Sequence, residues 1–428
     1  MASIPDSPRS RQMPAGRFST CLLVSPILAG LLVSVGVAKY GGGSGLPADP
    51  YQIATAEDLV TLGNTPGDWD KHFVLTKDID LTGYTEKNFH LIGDWVGLGA
   101  TGNKPFSGIF DGKGRTISNL SFRDADSQGS VGLFRCVNVG EIRNLKLTNV
   151  KITANGIYTG SLVGYLENGA VVNCHATRIN VTGNTQVGGL VGGVDGSVAQ
   201  CSSRGQVTGV RFVGGVVGEI NQGTISRSYS KAMVSGDDSV GGLAGATINQ
   251  ASIVDSCYAT GKVRGGINAG GLIGLVSRGR VFRSYSTGAV TGTGNVGGLT
   301  GRVMFLGDVI ASFWDNERSG QATSGGGTGK TTVEMRSADT FSNWDFNLTW
   351  AICDGLNTPV FLWQIPLGDL RCPDGVTITD FAWFALQWKR LDCGDINASC
   401  EWADLDESGD VGYRDLAIFA ENWLTGID

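Results

Sequence analysis

Apolar and small residues recur through the middle of the chain with a nearly fixed period. The recurring hexapeptides are VGGLVG at Val187, VGGVVG at Val213, VGGLAG at Val240, AGGLIG at Ala269 and VGGLTG at Val296. Successive copies are 26, 27, 29 and 27 residues apart, and TGSLVG at Thr159 is an earlier, weaker copy. A period in this range is typical of architectures in which one small structural unit is repeated and stacked.

Each unit continues with a second and a third apolar element. Segments such as VVNCHAT, TISRSYSKA and IVDSCYATG follow the hexapeptides, and a Val-x-Gly tripeptide closes most units. Three short β segments separated by glycine-containing bends cannot bury an apolar face alone, but stacked coils share one core. The pattern therefore predicts a mainly β protein, with a parallel β-helix of about seven coils over residues 130–320, each about 4.8 Å from the next.

Alignment of the units predicts which side chains form columns along the rod. One column is small or apolar and should face inward: Cys174, Cys201, Ser228, Cys257 and Ser284, with Leu145 in an earlier coil. The neighbouring column should face outward: His175, Ser202, Tyr229, Tyr258 and Tyr285. We interpret the cysteines as buried small groups rather than metal ligands. Cys174 and Cys201, on adjacent coils, are also placed to form a disulfide. His175 occupies a tyrosine position, which favours a structural role over a catalytic one.

Non-repetitive segments flank the predicted coils. Residues 46–129 should form an N-terminal cap, because a bare solenoid end exposes a sheet edge. Within this cap, the Thr55–Asp58 capping box before Leu59 and Leu62 predicts a short helix. The sequence also predicts a strand in HFVLTKDIDL and a hairpin in FSGIFDGKGRTISNLSF. Residues 321–368 should serve as a cap over the C-terminal end and as a linker.

A glycine-rich stretch near the end of the repeats nearly matches a phosphate-binding loop. It runs Ser324-Gly-Gly-Gly-Thr-Gly-Lys-Thr331. Ser324 replaces the first required glycine, and the flanking sequence does not read as a strand before and a helix after. We expect a loop that leaves the last coil, and no bound nucleotide.

Acidic residues are concentrated at the C-terminus. The chain carries a net charge of -7, whereas residues 369–428 alone hold 13 acidic and 4 basic residues. This short segment is also rich in tryptophan, which favours a folded module with a bound cation over a merely solvated acidic tail. No basic patch indicates a nucleic-acid partner.

One part of this module has the spacing of a calcium-binding loop. Side-chain oxygens fall at loop positions 1, 3, 5 and 12, which are Asp404, Asp406, Ser408 and Asp415. Gly409 stands at position 6, where the chain must turn sharply, and Asp410 would offer its backbone carbonyl. The sequence therefore predicts a Ca2+ site formed by these five oxygen-bearing residues.

The module is internally duplicated. DFAWFALQW from Asp380 aligns with DLAIFAENW from Asp415, so two loop-helix halves and a small all-α fold are expected. The first half departs from the calcium pattern, because Gly375 precedes Asp380 by five residues whereas Gly409 precedes Asp415 by six. Arg371 and Pro373 also occupy ligand positions. We expect one good calcium site, not two.

The N-terminal residues suggest export. Arg9, Arg11 and Arg17 precede an apolar run that ends at Ala38, which predicts a signal peptide over residues 1–38. An uncleaved membrane anchor is the alternative. Outside the cell, cysteines meet an oxidising environment. Cys353, Cys372, Cys393 and Cys400 could then form disulfides, and all three pairings remain open.

The repeats resemble the GLUG motif, named for glycine-leucine-any-glycine. The matching tetrapeptides begin at Gly189, Gly242, Gly271 and Gly298. This family occurs in large bacterial surface proteins, including filamentous-haemagglutinin-like adhesins and an immunoglobulin-A-cleaving metallopeptidase. The resemblance implies a surface repeat protein. The chain has no H-E-x-x-H motif, so the peptidase activity is not implied.

The C-terminal module, residues 369–428, resembles a type I dockerin in its paired loop-helix units. That resemblance implies a cohesin-like protein partner, with calcium holding the loops. The departures in the first half weaken the implied partnership.

Two functions follow from these features. The first is a secreted or cell-surface non-catalytic adhesin or spacer that docks through its calcium-binding module and contacts a protein or a glycan. The alternative is an extracellular polysaccharide lyase or hydrolase on the β-helix, since such chemistry needs carboxylates that face one groove. The candidate acids are Asp195, Glu219, Asp237, Asp238 and Asp255. Convergence of Asp195, Glu219 and Asp238 near an arginine would favour the enzyme.

Overall fold

The computed structural model describes residues 39–97, 100–124, 129–394 and 398–426. The predicted signal peptide and its cleavage at Ala38 lie outside the described residues. The described chain is mainly β, and its strands wind into a parallel solenoid. Within the described ranges, no helix is long and apolar enough to cross a membrane.

Three parallel sheets run along the solenoid. Sheet 1 begins with the strands Tyr51–Ile53, His72–Leu75, Ile109–Asp111, Phe134–Arg143 and Val163–Val172. It then divides into two rows. The first row is Val191–Val194, Val217–Ile220, Ala244–Thr247, Ile273–Ser277 and Thr300–Met304. The second row is Ser197–Ala199, Thr224–Ser226, Ile253–Asp255, Arg280–Phe282 and Asp308–Ile310. It divides because the long strands of the early coils are replaced by two short ones in each later coil.

Sheets 2 and 3 form the other sides of the coils. The main row of sheet 2 is Ile79–Asp80, Thr116–Ser118, Lys146–Thr148, His175–Thr182, Ser202–Thr208, Tyr229–Ser230, Tyr258–Ala259, Tyr285–Ser286, Phe313–Asp315 and Thr328–Lys330. Its side row is Ser121–Asp124, Lys151–Ala154, Met233–Ser235, Val263–Arg264 and Val290–Thr291. Sheet 3 is Ser130–Val131, Tyr158–Thr159, Thr185–Gly188, Arg211–Gly214, Asp238–Gly241, Asn268–Gly270 and Asn295–Gly297. One strand of sheet 3 per coil confirms a parallel solenoid of about seven coils.

The register of the coils matches the predicted columns. His175 pairs with Ser202, Ser202 with Tyr229, Tyr229 with Tyr258, and Tyr258 with Tyr285, all in parallel. The neighbouring inward column is fully buried, and the Ser228 hydroxyl accepts a hydrogen bond from the backbone nitrogen of Cys201 at 3.0 Å. Small side chains suit this column because a polar hydroxyl inside the core needs a backbone partner within reach.

Close approach of neighbouring coils explains the glycine pairs of the repeat. A Cβ placed on Gly242 would lie 2.1 Å from the carbonyl oxygen of Gly271, one coil away. No larger residue fits without separating the backbones.

The N-terminal segment continues the coil instead of forming a hairpin. Helix α1, Ala56–Gly63, begins as predicted, with the Thr55 hydroxyl accepting from the Asp58 nitrogen at 3.2 Å. The hairpin predicted around Asp111 is wrong. Strand Ile109–Asp111 pairs with His72–Leu75 in sheet 1, whereas Thr116–Ser118 pairs with Ile79–Asp80 in sheet 2. The turn between them directs the chain from one sheet to another, and each strand finds its partner in the adjacent coil.

The glycine-rich stretch leads back into the solenoid. Thr328–Lys330 pairs in parallel with Phe313–Asp315, so the loop expected to leave the last coil adds one more strand to sheet 2. The side chain of Lys330 forms an ion pair with Glu334 at 3.2 Å.

The C-terminal segment covers a flank of the solenoid. This segment, residues 331–364, includes the antiparallel pair Trp350–Ala351 and Val360–Phe361. It packs over the column that faces outward from the coils, leaving Tyr258 2% and Tyr285 1% exposed. The predicted cap over the C-terminal end, residues 321–368, stays a prediction: its first residues bond to the last coil, as in the hydrogen bond from Gly325 N to the Thr300 carbonyl, and its later residues cover the flank. The stacked tyrosines present an apolar strip, and burial of that strip stabilises packing of the segment against the flank.

The last described residues form a small helical module. Its two helices of more than one turn are α2, Ile378–Gln387, and α3, Tyr413–Glu421, among the residues described there. A single helical turn, Asn316–Ser319, lies earlier, at the end of the solenoid. The module has its own core, in which the rings of Phe384 and Phe419 stack with centroids 5.2 Å apart.

Candidate metal centre

Three carboxylates of the second loop converge in the helical module. One oxygen each of Asp404, Asp406 and Asp415 lies within 4.8 Å of the others. Asp404 is 6% exposed and Asp415 1% exposed, so two of the three are taken largely out of water. Buried carboxylates close together repel one another, so this arrangement favours a bound cation.

Backbone hydrogen bonds fix these carboxylates in place. Asp415 Oδ1 accepts from the nitrogens of Leu405 at 2.6 Å and Asp406 at 3.0 Å. Asp404 Oδ2 accepts from the nitrogen of Gly409 at 3.0 Å. Gly409 has a φ of 94°, in the left-handed region that favours glycine, which accounts for its place at the sharp turn.

The remaining predicted ligands, Ser408 and Asp410, lie in the same loop. The Ser408 hydroxyl donates to Asp410 Oδ1 at 3.1 Å, and the Ser408 nitrogen bonds Asp406 Oδ1 at 3.1 Å. The bonds from Ser408 hold the pKa of Asp406 below its usual value, so this carboxylate stays ionised. The donors are oxygens throughout, which suits a hard cation such as calcium better than zinc.

A second group of carboxylates, in the first loop, was missed by the sequence prediction. One oxygen each of Asp369, Asp374 and Asp380 lies within 4.8 Å of the others. Burial, with the charges of Asp380 and Asp374, raises the pKa of Asp369 to about 6. The signal was available in the sequence, because Asp369 precedes Asp380 by eleven residues, as Asp404 precedes Asp415.

The two loops have equivalent hydrogen bonds. Asp380 Oδ1 accepts from the nitrogens of Leu370 at 2.7 Å and Arg371 at 3.0 Å, as Asp415 does in its own loop. Asp369 Oδ2 accepts from the nitrogen of Gly375 at 3.0 Å. The altered glycine spacing is thus absorbed within the first loop without loss of the hydrogen bond between its first aspartate and the turn.

Each loop is also tied to the far end of the other half. Val376 in the first loop exchanges backbone hydrogen bonds with Leu424 and Thr425, which follow α3. In the second loop, Val411 exchanges them with Lys389 and Arg390, which follow α2. The halves therefore form one cooperative unit.

Disulfides brace the module. Cys353 pairs with Cys372 and Cys393 with Cys400, which selects one of the three pairings left open by the sequence. The described cysteines of the solenoid are free and buried: Cys136, Cys174, Cys201 and Cys257. The alternative of a disulfide between Cys174 and Cys201 is not adopted.

The solenoid acids are held by neighbouring side chains. Asp195 Oδ2 accepts from the Tyr165 hydroxyl at 2.8 Å, and Glu219 Oε2 accepts from Gln186 Nε2 at 3.1 Å. Burial raises the pKa of Glu219. Asp195 and Glu219 lie on neighbouring coils, since Gly193 pairs with Glu219. The charges of Asp195 and Arg211 both influence the pKa of Glu219, and this proximity is one part of the convergence that would favour an enzyme.

The other candidate acids form ion pairs or lie in solvent. Asp238 faces Arg211 at 3.6 Å and accepts from Asn268 Nδ2 at 2.9 Å. Asp255 pairs with Arg283 at 2.6 Å, and Asp237 is exposed. Such contacts are typical of acids that stabilise successive coils.

The repeats, sheets and columns together define a glycine-rich parallel β-solenoid. Residues 183–208 match the family model described as the GLUG motif, which confirms the resemblance of the repeats. Halomucin of Haloquadratum walsbyi is 33% identical over 171 residues, covering 38% of this chain and 2% of halomucin.

Two further comparisons extend over more of the chain. A candidate Gly-rich membrane protein of Evansella cellulosilytica is 31% identical over 426 residues, covering 74% of this chain and 46% of that protein. The chain thus spans less than half the length of either relative. The crystal structure of a candidate immunoglobulin A1 protease of Bacteroides ovatus, at 1.30 Å, aligns with a TM-score of 0.47 and 22% identity, covering 76% of this chain and 96% of that one.

Proposed function

We propose that this protein is a secreted or cell-surface, non-catalytic repeat protein that acts as an adhesin or spacer and docks through a calcium-dependent, dockerin-like module. The observation that carries the proposal is the convergence of Asp404, Asp406 and Asp415 within 4.8 Å. These residues stand at positions 1, 3 and 12 of a calcium loop.

Calcium would act as a structural element of the module. Asp404, Asp406 and Asp415 would bind it, with the backbone carbonyl of Asp410 and the Ser408 hydroxyl nearby. The ion would offset the mutual repulsion of the carboxylates and fix the loop against α3. Because each loop is bonded to the other half, order in one loop stabilises the whole module.

An apolar surface on the two helices supports docking to a protein. Phe381 on α2 and Trp423 after α3 are both exposed, and their rings lie 6.4 Å apart, edge to face. Ile378 and Leu386 add exposed apolar area on α2. Aromatic groups that remain exposed on a small module are typical of an interface. A cohesin-like domain is the proposed partner.

Two observations support the surface role. The relatives include a protein named halomucin and one named as a membrane protein, which favours an extracellular or cell-surface location. On the solenoid, the candidate acids are engaged by Tyr165, Gln186, Arg211 and Arg283, which favours a structural part for them. We therefore prefer an adhesin or spacer to a polysaccharide-cleaving enzyme.

Calcium binding by matched variants tests the proposal. Asp406→Asn removes one carboxylate of the group, and Glu407→Gln removes the same charge one residue away. We expect Asp406→Asn to weaken calcium binding at least about tenfold in isothermal titration calorimetry, and Glu407→Gln to leave it nearly unchanged. Equal effects of the two variants would contradict the proposed site.

Docking is tested with the full chain on a sensor surface and a panel of cohesin domains. Binding should require calcium and be lost on chelation. It should also be lost in the Phe381→Ala/Trp423→Ala variant but not in Trp402→Ala, which alters an exposed tryptophan elsewhere on the module. If calcium binds but no cohesin is captured, the calcium-stabilised module stands and a cohesin-like partner is rejected.

A further inference from the structure

A large open groove follows the flank of the solenoid beside the tyrosine column. Its volume is about 1250 Å³. One wall is the main row of sheet 2, from Lys146 to Tyr285, and the other includes Trp363 and Gln364 of the C-terminal segment. Asp369 of the helical module also lines the groove. The groove is thus built by three parts of the chain that are distant in sequence.

The charge of this groove is opposite to that of the whole protein. The chain carries -7, yet the charged groups lining the groove are Lys146, Arg178, Lys231 and Arg318 against one carboxylate, Asp369, among the described residues. Lys146 and Arg178 are exposed, and the described residues supply no ion-pair partner for either. Two exposed cations of this kind in a concave site attract an anionic ligand.

The groove repeats its chemistry once per coil. Ring centroids in the tyrosine column are 4.9 and 5.0 Å apart, which measures the rise between coils. Polar groups also recur from coil to coil: Thr177 pairs with Thr148 on the adjacent coil, and their hydroxyls are joined by a hydrogen bond of 3.2 Å. This rise is comparable with the length of one pyranose unit in an extended glycan. A glycan lying along the groove would therefore meet similar polar groups at successive sugars.

We infer that this groove binds an extended acidic glycan whose carboxylates face Lys146 and Arg178. Hydroxyl and amide groups of the lining, such as those of Thr148, Asn173 and Gln200, suit sugar hydroxyls. The cations stand on different coils, and this low density of positive charge matches uronate units better than the closely spaced phosphates of a nucleic acid. The ligand site goes beyond the calcium-dependent docking proposed above and does not involve the surface of Phe381 and Trp423.

Binding of defined oligosaccharides to the full chain tests the inference. The probe is an octamer of α-1,4-linked galacturonate, compared with neutral malto-octaose in calorimetry at one fixed calcium concentration. We expect binding of the acidic octamer only, weakening as salt is raised. The double variant Lys146→Gln/Arg178→Gln should weaken it at least about tenfold, since it removes two charge-assisted hydrogen bonds to the ligand.

Matched controls make the result decisive. Lys262→Gln/Arg264→Gln removes one lysine and one arginine that are exposed outside the groove lining, and it should keep the affinity. Asp406→Asn should also keep the affinity for the acidic octamer. A failure of calcium-dependent docking can therefore be distinguished from a failure of glycan binding. The inference is overturned if malto-octaose or polyglutamate binds as tightly as the octamer. It is equally overturned if the octamer does not bind, or if both double variants behave alike.

Discussion

Tyr258 and Tyr285 stack one coil apart, with ring centroids separated by 5.0 Å and ring planes 8° from parallel. Their outer side is covered by Trp350, whose ring centroid lies 6.2 Å from that of Tyr258 and 6.1 Å from that of Tyr285. The Tyr285 hydroxyl donates to the carbonyl oxygen of Pro359 at 2.6 Å. The tyrosine column is therefore the surface on which the C-terminal segment is assembled.

Replacement of Trp350 should detach this segment. Trp350 is fully buried and stacks on Phe361 at 4.4 Å, so Trp350→Ala should lower the free energy of unfolding by about 3–5 kcal/mol. Urea unfolding followed by tryptophan fluorescence measures the change. Leu348→Ala, at a residue 80% exposed in the same segment, should change the free energy by less than about 0.5 kcal/mol. Similar losses in the two variants would contradict the packing described.

The glycine pair of the repeat should not tolerate alanine. In Gly242→Ala, the new methyl group would lie 2.1 Å from the carbonyl oxygen of Gly271, so the two coils must separate. We expect a loss of at least about 1–3 kcal/mol in thermal or urea unfolding. Gly67→Ala is the control, because a Cβ there meets nothing within 4 Å. An unchanged midpoint for Gly242→Ala would show that the coils are less closely spaced.

His175 should make stability depend on pH. Burial, together with the charge of Lys146, lowers the pKa of His175 from 6.5 to about 4. The unfolded chain binds the proton more readily than the folded chain, so the free energy of unfolding should fall as pH drops from about 6.5 to about 4. The contribution is about 3 kcal/mol.

The variant His175→Tyr isolates this effect. Tyrosine already fills the equivalent positions 229, 258 and 285, and its hydroxyl does not titrate in this range. The difference in unfolding free energy between the native protein and the variant should therefore change between pH 4 and 6.5 and be constant above pH 7. Parallel profiles across the whole range would contradict a neutral, buried imidazole.

The cysteines should divide into two chemical classes. Cys136, Cys174, Cys201 and Cys257 are fully buried, and burial raises the pKa of Cys136 to about 12. Iodoacetamide should leave these four thiols unmodified in the native protein and label them after unfolding. Peptide mapping without reduction should recover Cys353 linked to Cys372 and Cys393 linked to Cys400. Labelling of Cys174 in the folded protein would place it outside the core.

The repeated part of this fold could be predicted because equivalent residues recur at equivalent places. Cys201, Ser228 and Cys257 could be assigned to one column from spacing alone, and their burial confirms it. Periodicity contains no information about a segment that occurs once. The outward direction of Tyr285 was therefore predictable, but the tryptophan-rich cover over it was not.

The candidate metal centre was predictable where the sequence keeps the standard loop. Asp404 and Asp406 precede a glycine at the expected position, so their convergence with Asp415 followed from spacing. The carboxylate group of the first loop was not predicted, because Arg371 and Pro373 stand at ligand positions. In the structure, Asp374 approaches Asp369 and Asp380 from a position that no standard loop uses as a side-chain ligand.

The C-terminal segment spans a fixed number of coils of the solenoid. It contacts Phe313 through Phe341 and reaches back along the coils to His175, where Trp363 stacks at 5.3 Å. Repeated units of similar length can be gained or lost as whole coils during evolution. A coil gained between His175 and Phe313 would separate the aromatic side chains of the segment from their partners on the coils. A coil gained before Lys146 would leave these contacts intact. Natural variation in length should therefore accumulate toward the N-terminal side of the rod.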